Sequence, residues 1–415
     1  MNRKVAPDIK TIQQLSTKFP ESNGNVYHIK QNEGVFKLEI IFPNAGFATY
    51  HNKFDAIYGL DLILSGTATK TAHKISEEID TLGGFVFKTC DYYNACISIY
   101  GANHQFSSIV KLVKEAIDGC IYNEKELEIY KNKKLSERAI NLEKPSFLAS
   151  RGINHLILGT THPFSLSSTE DLIKSISSID LKNYHSNSLD NYSFIFAGSE
   201  NFDIITELNH LGFKTETTEI AQFKETIVEK TTDEERIKKD NATQNAIRFG
   251  KILPNRAHKD YFKLQLSNLI LGGYFGSRLM KNIREEKGLT YGIFSSITPF
   301  RDFSILKISC ECNSTLSETV YQEIINEINL MKTQLVGEEE LKTAKNYLLG
   351  ALMRNFDGPF NVSERLKTHL DLMGDSDYYD RYVAAVNAIT SEEIIEIMNN
   401  FFDFNSLKYC ISGDI

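Results

Sequence analysis

Glu124-Lys-Glu-Leu-Glu-Ile-Tyr-Lys-Asn132 returns 214 residues later as Glu338-Glu-Glu-Leu-Lys-Thr-Ala-Lys-Asn346. At that same offset Glu124, Glu126, Leu127, Lys131, Asn132, Leu135, Pro145 and Arg151 all recur, the last three as Leu349, Pro359 and Arg365. Upstream, Leu62-Ile-Leu-Ser-Gly66 is echoed by Leu269-Ile-Leu-Gly-Gly273, and Ile75-Ser-Glu-Glu78 by Ile283-Arg-Glu-Glu286. A fixed order of matching segments is the signature of an internal duplication, and it sets domain limits before any fold is considered. The chain therefore divides into an amino-terminal domain, residues 1–213, a Thr/Glu/Lys-rich connector, 214–240, and a carboxy-terminal domain, 241–415.

Each half reads alike: a strand, an apolar helix, a second short helix near glycine, a strand pair, then a long helix broken at proline. In the first half these are Val35–Phe42, Lys53–Leu64, Ser76–Leu82, Phe85–Tyr100 and Glu124–Leu142. In the second they are Ala246–Ile252, Phe262–Leu271, Arg278–Lys287, Leu289–Cys312 and Glu338–Asn355. The expected fold is α+β, with two homologous domains, each an antiparallel sheet with helices packed on one face.

Composition limits the partners. The 415 residues are 41% hydrophobic and 24% charged, enough for two real cores. With 54 acidic against 46 basic residues the net charge is −8, the wrong sign for a surface that tracks phosphates, so nucleic acid is not expected. No apolar run reaches the roughly 20 residues of a membrane span, and no apolar stretch follows Met1-Asn-Arg-Lys-Val-Ala-Pro-Asp8, which points to a cytoplasmic chain without an export signal. Six irregularly spaced cysteines do not form a disulfide framework, and Cys310-Glu-Cys312 has no second pair to complete a metal site, so buried thiols are expected. Ten histidines show no metal-binding spacing, His155 and His162 merely flanking a Gly-Thr-Thr loop.

The repeat together with Ile283-Arg-Glu-Glu-Lys-Gly-Leu-Thr-Tyr-Gly292 resembles the pitrilysin/insulinase family of zinc metallopeptidases, in its short, mitochondrial-processing-peptidase-like branch. The resemblance implies that fold, and a peptide chamber closed by two such chains. Active members carry H-x-x-E-H on the first domain's early helix, shortly before a Gly-Thr, and a distal glutamate on the later long helix. Counting back from Gly66-Thr67 places those positions at Ile57, Leu60 and Asp61, and the register of Pro145 places the distal one at Tyr130, with Glu137 as the alternative. Zinc catalysis needs two imidazoles at i and i+4 and a carboxylate between them, which isoleucine and leucine cannot supply. Ala56, Ile57, Leu60 and Leu64 read instead as an apolar stripe.

The second domain keeps what the family uses at the transition state. Arg284 and Tyr291 match its arginine and tyrosine at the right spacing around Gly288. The resemblance implies that the guanidinium holds a peptide carbonyl and the phenol a developing oxyanion. Without it the two are a helix-end arginine beside Glu285 and Glu286 and a tyrosine packed at a strand start. Gly272-Gly273-Tyr274-Phe275-Gly276 resembles a shortened glycine-rich loop that lines the chamber in non-catalytic subunits, a tight turn being the plainer reading; no Gly-Lys-Ser/Thr follows, against a phosphate loop. Phe85-Val-Phe87 stands where relatives add a substrate strand to the sheet, or is core.

The expected function is a non-catalytic subunit that carries no cofactor itself and gives Arg284 and Tyr291 to a zinc-bearing pitrilysin-like partner for peptide hydrolysis. A structural or peptide-binding scaffold related to processing-peptidase core subunits is the alternative, and pairing with a second copy of itself stays open.

Overall fold

The computed structural model describes residues 20, 22–215, 223, 227, 232–403 and 406–415. The start of the chain and, from the expected connector, residues 216–222, 224–226 and 228–231 lie outside them. The first half opens with strands β1 (Ser22–Asn23), β2 (Val26–Gln31) and β3 (Val35–Phe42), then helices α1 (Lys53–Asp61) and α2 (Ala72–Thr81). Hairpin β4 (Phe85–Cys90) and β5 (Ala95–Ala102) leads into α3 (Phe106–Asp118), α4 (Glu124–Leu142) and α5 (Pro145–Leu158). Helices α6 (Glu170–Ser175) and α7 (Ser178–Ser188), strand β6 (Ser193–Ser199) and α8 (Ile204–His210) complete it.

The second half begins with β7 (Glu234–Lys238), inside the expected connector, followed by β8 (Gln244–Pro254) and α9 (Tyr261–Asn268). Two π-helical segments, Leu269–Gly273 and Met280–Glu286, precede hairpin β9 (Thr290–Pro299) and β10 (Phe303–Asn313). Helices α10 (Ser317–Thr333), α11 (Glu338–Arg354), α12 (Pro359–Asp371), α13 (Tyr378–Ala388) and α14 (Ser391–Phe401) and strand β11 (Lys408–Gly413) follow.

The duplication is written into the topology. One sheet runs β1-β2-β6-β3-β5-β4 and the other β7-β11-β8-β10-β9, the same order apart from the short extra strand β1. Local chemistry repeats with it. Prolines stand in the first turns of α5 and α12, where the missing N–H is no loss. Reciprocal capping boxes start α7, from Ser177 and Asp180, and α14, from Thr390 and Glu393.

The α+β expectation holds, with two differences. Each sheet contains one parallel pair, β2 with β6 and β7 with β11. The helices do not leave one face of either sheet open, because each half covers the other's second face. Helices α12 and α13 lie over Ile29, Ile41 and Ile195 of the first sheet, and α5 lies over Ala246, Ile305 and Cys410 of the second. Side chains such as Ile195, wholly buried, would each forfeit about 2 kcal/mol if that face were wet, so the exchange of helices follows from the patterning of both strand faces. Glycine permits the closest approach: a Cβ on Gly152 would sit 2.5 Å from Cys410 Sγ, and one on Gly250 would sit 2.3 Å from Ile157 Cδ1.

The two hairpin turns meet between the halves. The backbone N–H of Arg301 donates to Tyr93 Oη at 2.8 Å, its guanidinium lies 3.9 Å from the Tyr93 ring centroid, and Tyr92 packs edge-on against Phe300. No helix among the described residues is long and apolar enough to cross a membrane. None of the six cysteines is in a disulfide, and Cys310 and Cys312 are buried as expected.

Candidate functional site

Helix α1 starts at Asn52, whose side chain accepts from the Phe54 N–H, and carries the positions that the resemblance aligns with zinc ligands. The apolar stripe is real but serves two clusters. Ala56 and Leu60 are fully buried toward the sheet, with Leu64 beside them, while Ile57 packs with Tyr130 against Phe54, Tyr58 and Leu127 between α1 and α4.

At the remaining two ligand positions the side chains bond to each other. Tyr130 Oη donates to Asp61 Oδ2, so the residue that bonds Asp61 from α4 is the one the Pro145 register picks out. Lys88, from the adjacent edge strand, donates its ammonium to the Asp61 carbonyl at the end of α1. The Tyr58 ring meets Tyr130 edge-on at 4.9 Å, and Lys134, itself paired with Glu137 at 3.2 Å, sits 5.0 Å over the Tyr130 ring. Burial first, and then the hydrogen bond to Asp61, raise the Tyr130 phenol far above its ordinary range, so it is a fixed donor. Burial also pushes the Tyr58 phenol up to about 12 and lowers the Lys88 ammonium.

This arrangement does not fit zinc. Of the four positions only Asp61 has ligand chemistry, and its carboxylate accepts from a phenol that has no neutral-pH tendency to ionise. Among the described residues no group of three or more His, Cys, Asp or Glu side chains is placed to share a metal ion. Tyr130→Phe is expected to cost about 1–2 kcal/mol in urea unfolding, since Asp61 loses a donor at a half-buried position. An unchanged midpoint would show that the bond contributes nothing.

Sequence reading missed Lys88 and could not foresee the direct Asp61–Tyr130 bond. The one available signal was that both fell on ligand positions and are themselves a donor and an acceptor.

Edge strand β4 follows Gly83, whose φ of +69° is a backbone conformation natural to glycine. Phe85 and Phe87 are 61% and 54% exposed, while Val86 between them turns to the first core. The two phenylalanines are therefore surface, not core, on the strand that ends the sheet among the described residues.

In the second half Arg284 lies on the segment Met280–Glu286 and Tyr291 near the start of β9, also an edge strand. The turn between them uses Gly288 at φ +62° and closes with the Leu289 N–H donating to the Ile283 carbonyl at 2.9 Å. That fold-back brings the pair together: Arg284 Nε donates to the Tyr291 carbonyl at 3.0 Å, and the Tyr291 side chain is left outside, 90% exposed. The plain expectation of a packed tyrosine is not met. Arg284 and Glu285 are 3.9 Å apart, a loose surface pair. The guanidinium lies 4.7 Å from the ring centroid of Phe275.

Phe275 belongs to the glycine-rich turn, so the two second-half motifs touch. Their glycines differ in role. Gly272 is buried under β9, where a Cβ would come within 2.9 Å of Leu279 Cδ1 and the Ser295 N–H, and its need is packing rather than contact with a bound peptide. Gly273 ends the π-helical segment, Tyr274 tilts against Tyr347 at 4.8 Å, and Gly276 is exposed beside Phe275.

The family described as Peptidase M16 inactive domain matches residues 175–348. A Bacillus subtilis (strain 168) protein named Uncharacterized zinc protease YmxG is 22% identical over 350 residues, covering 82% of this chain and 84% of its own. The crystal structure of a peptidase M16 inactive domain from Pseudomonas fluorescens superposes with a TM-score of 0.84 at 22% identity, over 94% of this chain and 96% of that one. A protease from Helicobacter pylori does so with a TM-score of 0.82 at 16% identity over the same shares. The fold is that of the two-domain M16 structures, and the positions aligned with their ligands hold no ligand set. The chain is similar to M16, or pitrilysin-type, peptidases, and its residues 175–348 match that family's inactive domain.

Proposed function

We propose that this chain is the zinc-less subunit of a heterodimeric metallopeptidase and completes the peptide site of a zinc-bearing, pitrilysin-like partner. The observation that carries the reading is the contrast between its two halves. The ligand positions are closed by the Asp61–Tyr130 bond, while Arg284 is seated on the Tyr291 backbone with the phenol free to reach outward.

In this reading the partner's zinc supplies the water-activating chemistry. Arg284 holds a carbonyl of the bound peptide, and the Tyr291 hydroxyl donates to the oxygen on which negative charge develops. The peptide is an extended strand that hydrogen-bonds along a sheet edge, with Phe85 and Phe87 of β4 as apolar contacts. Tyr274 and Gly276, and through the backbone Gly272 and Gly273, hold Phe275 against the arginine. Thiols outside any disulfide suit the reducing cytoplasm.

The test mixes purified partner with and without this chain and follows cleavage of a fluorogenic peptide. Turnover is expected to rise at least about 100-fold on mixing, the effect of one lost oxyanion donor. Equal turnover with stable association would favour the scaffold role, and a self-associating chain that ignores the partner would sink the heterodimer.

A further inference from the structure

A cavity of about 260 Å3 lies among α9, α11, α12, α13 and the far end of β9, apart from the residues considered so far. Two arginines line it. Arg256 is 8% exposed and lies over Tyr378, its guanidinium carbon 3.6 Å from the ring centroid. Its Nε and Nη2 find no acceptor among the described residues, and neither does the buried Nε of Arg365. No Asp or Glu is among the described residues that line it. The charge is felt nearby: burial, and then Arg256, push His369 down to about 4.

Buried guanidinium donors without acceptors are costly, and such groups are normally satisfied by an anion or water. The planar fork of arginine matches a carboxylate in particular. The remaining wall is largely apolar, with Ile297, Leu348, Leu352 and the rings of Tyr378 and Tyr382. The volume falls below the roughly 300–1,000 Å3 of drug-sized sites, which limits the occupant to a small molecule. Arg365 was already conspicuous as the repeat partner of Arg151, yet it has no place in the peptide site.

We propose that this cavity binds a small monocarboxylate with a compact apolar body, its carboxylate held by Arg256 and Arg365. Because α12 and α13 also cover the first sheet, the occupant would sit where the two halves join and stabilise their union.

The full chain is titrated with benzoate and with isovalerate while thermal unfolding is followed; benzyl alcohol and inorganic phosphate are the controls. A saturable rise in Tm with the carboxylates alone is expected. Arg256→Met should weaken that response about 10-fold or more, the loss of one charge-assisted bond. In carboxylate-free buffer it should keep or raise Tm, because it removes an unpaired buried charge. Arg365→Met provides the same reading should Arg256→Met not fold. The proposal is overturned if neither carboxylate gives a saturable rise, if benzyl alcohol or phosphate gives an equal one, or if the folded variants respond like the wild type.

Discussion

Tyr291→Phe in the reconstituted heterodimer is expected to lower kcat by about 100- to 1,000-fold with KM nearly unchanged, the cost of removing one donor aimed at a developing oxyanion. The phenol is 90% exposed, so the substitution should leave stability within about 0.5 kcal/mol of wild type. Arg284→Ala differs in kind. Its guanidinium donates to the Tyr291 carbonyl and meets Phe275, so its loss removes a carbonyl-binding charge and also loosens the strand start that carries the phenol. KM should rise and kcat fall together, and the double variant should do less harm than the product of the singles, since both act on one unit. Two folded variants that turn over like the wild type would leave Arg284 and Tyr291 as surface residues.

The second large effect concerns stability. Glu39 and Lys37, on adjacent outward positions of β3, are wholly buried beneath α12, where Lys367 lies 3.4 Å from Glu39 and 3.0 Å from Glu364. Lys37 pairs with both Glu39 and Glu364, and Ser98 and Cys96 donate to Glu39 at 2.5 and 3.0 Å. Burial alone would raise the Glu39 carboxyl, but Lys367 and Lys37 outweigh it and hold it at about 2. Glu39→Gln leaves two ammonium groups buried with too little negative charge, and should cost about 3–5 kcal/mol in urea unfolding at pH 7.

The pH dependence has a definite sign. Because the folded pKa lies below the unfolded value near 4.5, the Glu39 contribution is fully present above that value and is lost as pH falls toward about 2. The gap between wild type and Glu39→Gln should therefore be constant from pH 6 to 8 and shrink below pH 4.5. A gap that stayed constant down to pH 2 would place the effect in shape rather than charge. This ionic cluster joins the first sheet to a second-half helix, so the variant should also separate the melting of the two halves.

Much of this was legible in the chain. Val35–Phe42 and Glu124–Leu142 are found at the bounds their patterns predicted, because an apolar run and a capped, Pro-terminated amphipathic stretch are set by local chemistry. Helix α1 ends at Asp61 rather than Leu64, and Met280–Glu286 is π-helical, since terminal turns answer to packing as well as propensity. Lys37 and Glu39 sit in a strand whose sequence gives no hint that both charges are buried. Their partners Glu364 and Lys367 come from more than 300 residues away.

The sequence by itself determined that the chain is a duplication, that the metal ligands are missing and that Arg284 and Tyr291 are seven residues apart around a glycine, all of which are matters of residue identity and spacing. Tertiary structure alone decided that Tyr130 bonds Asp61, that the halves exchange covering helices, and that Arg256 and Arg365 share a cavity without a carboxylate. Those are contacts between distant segments, fixed by how two apolar sheet faces are hidden from water rather than by anything adjacent in the chain.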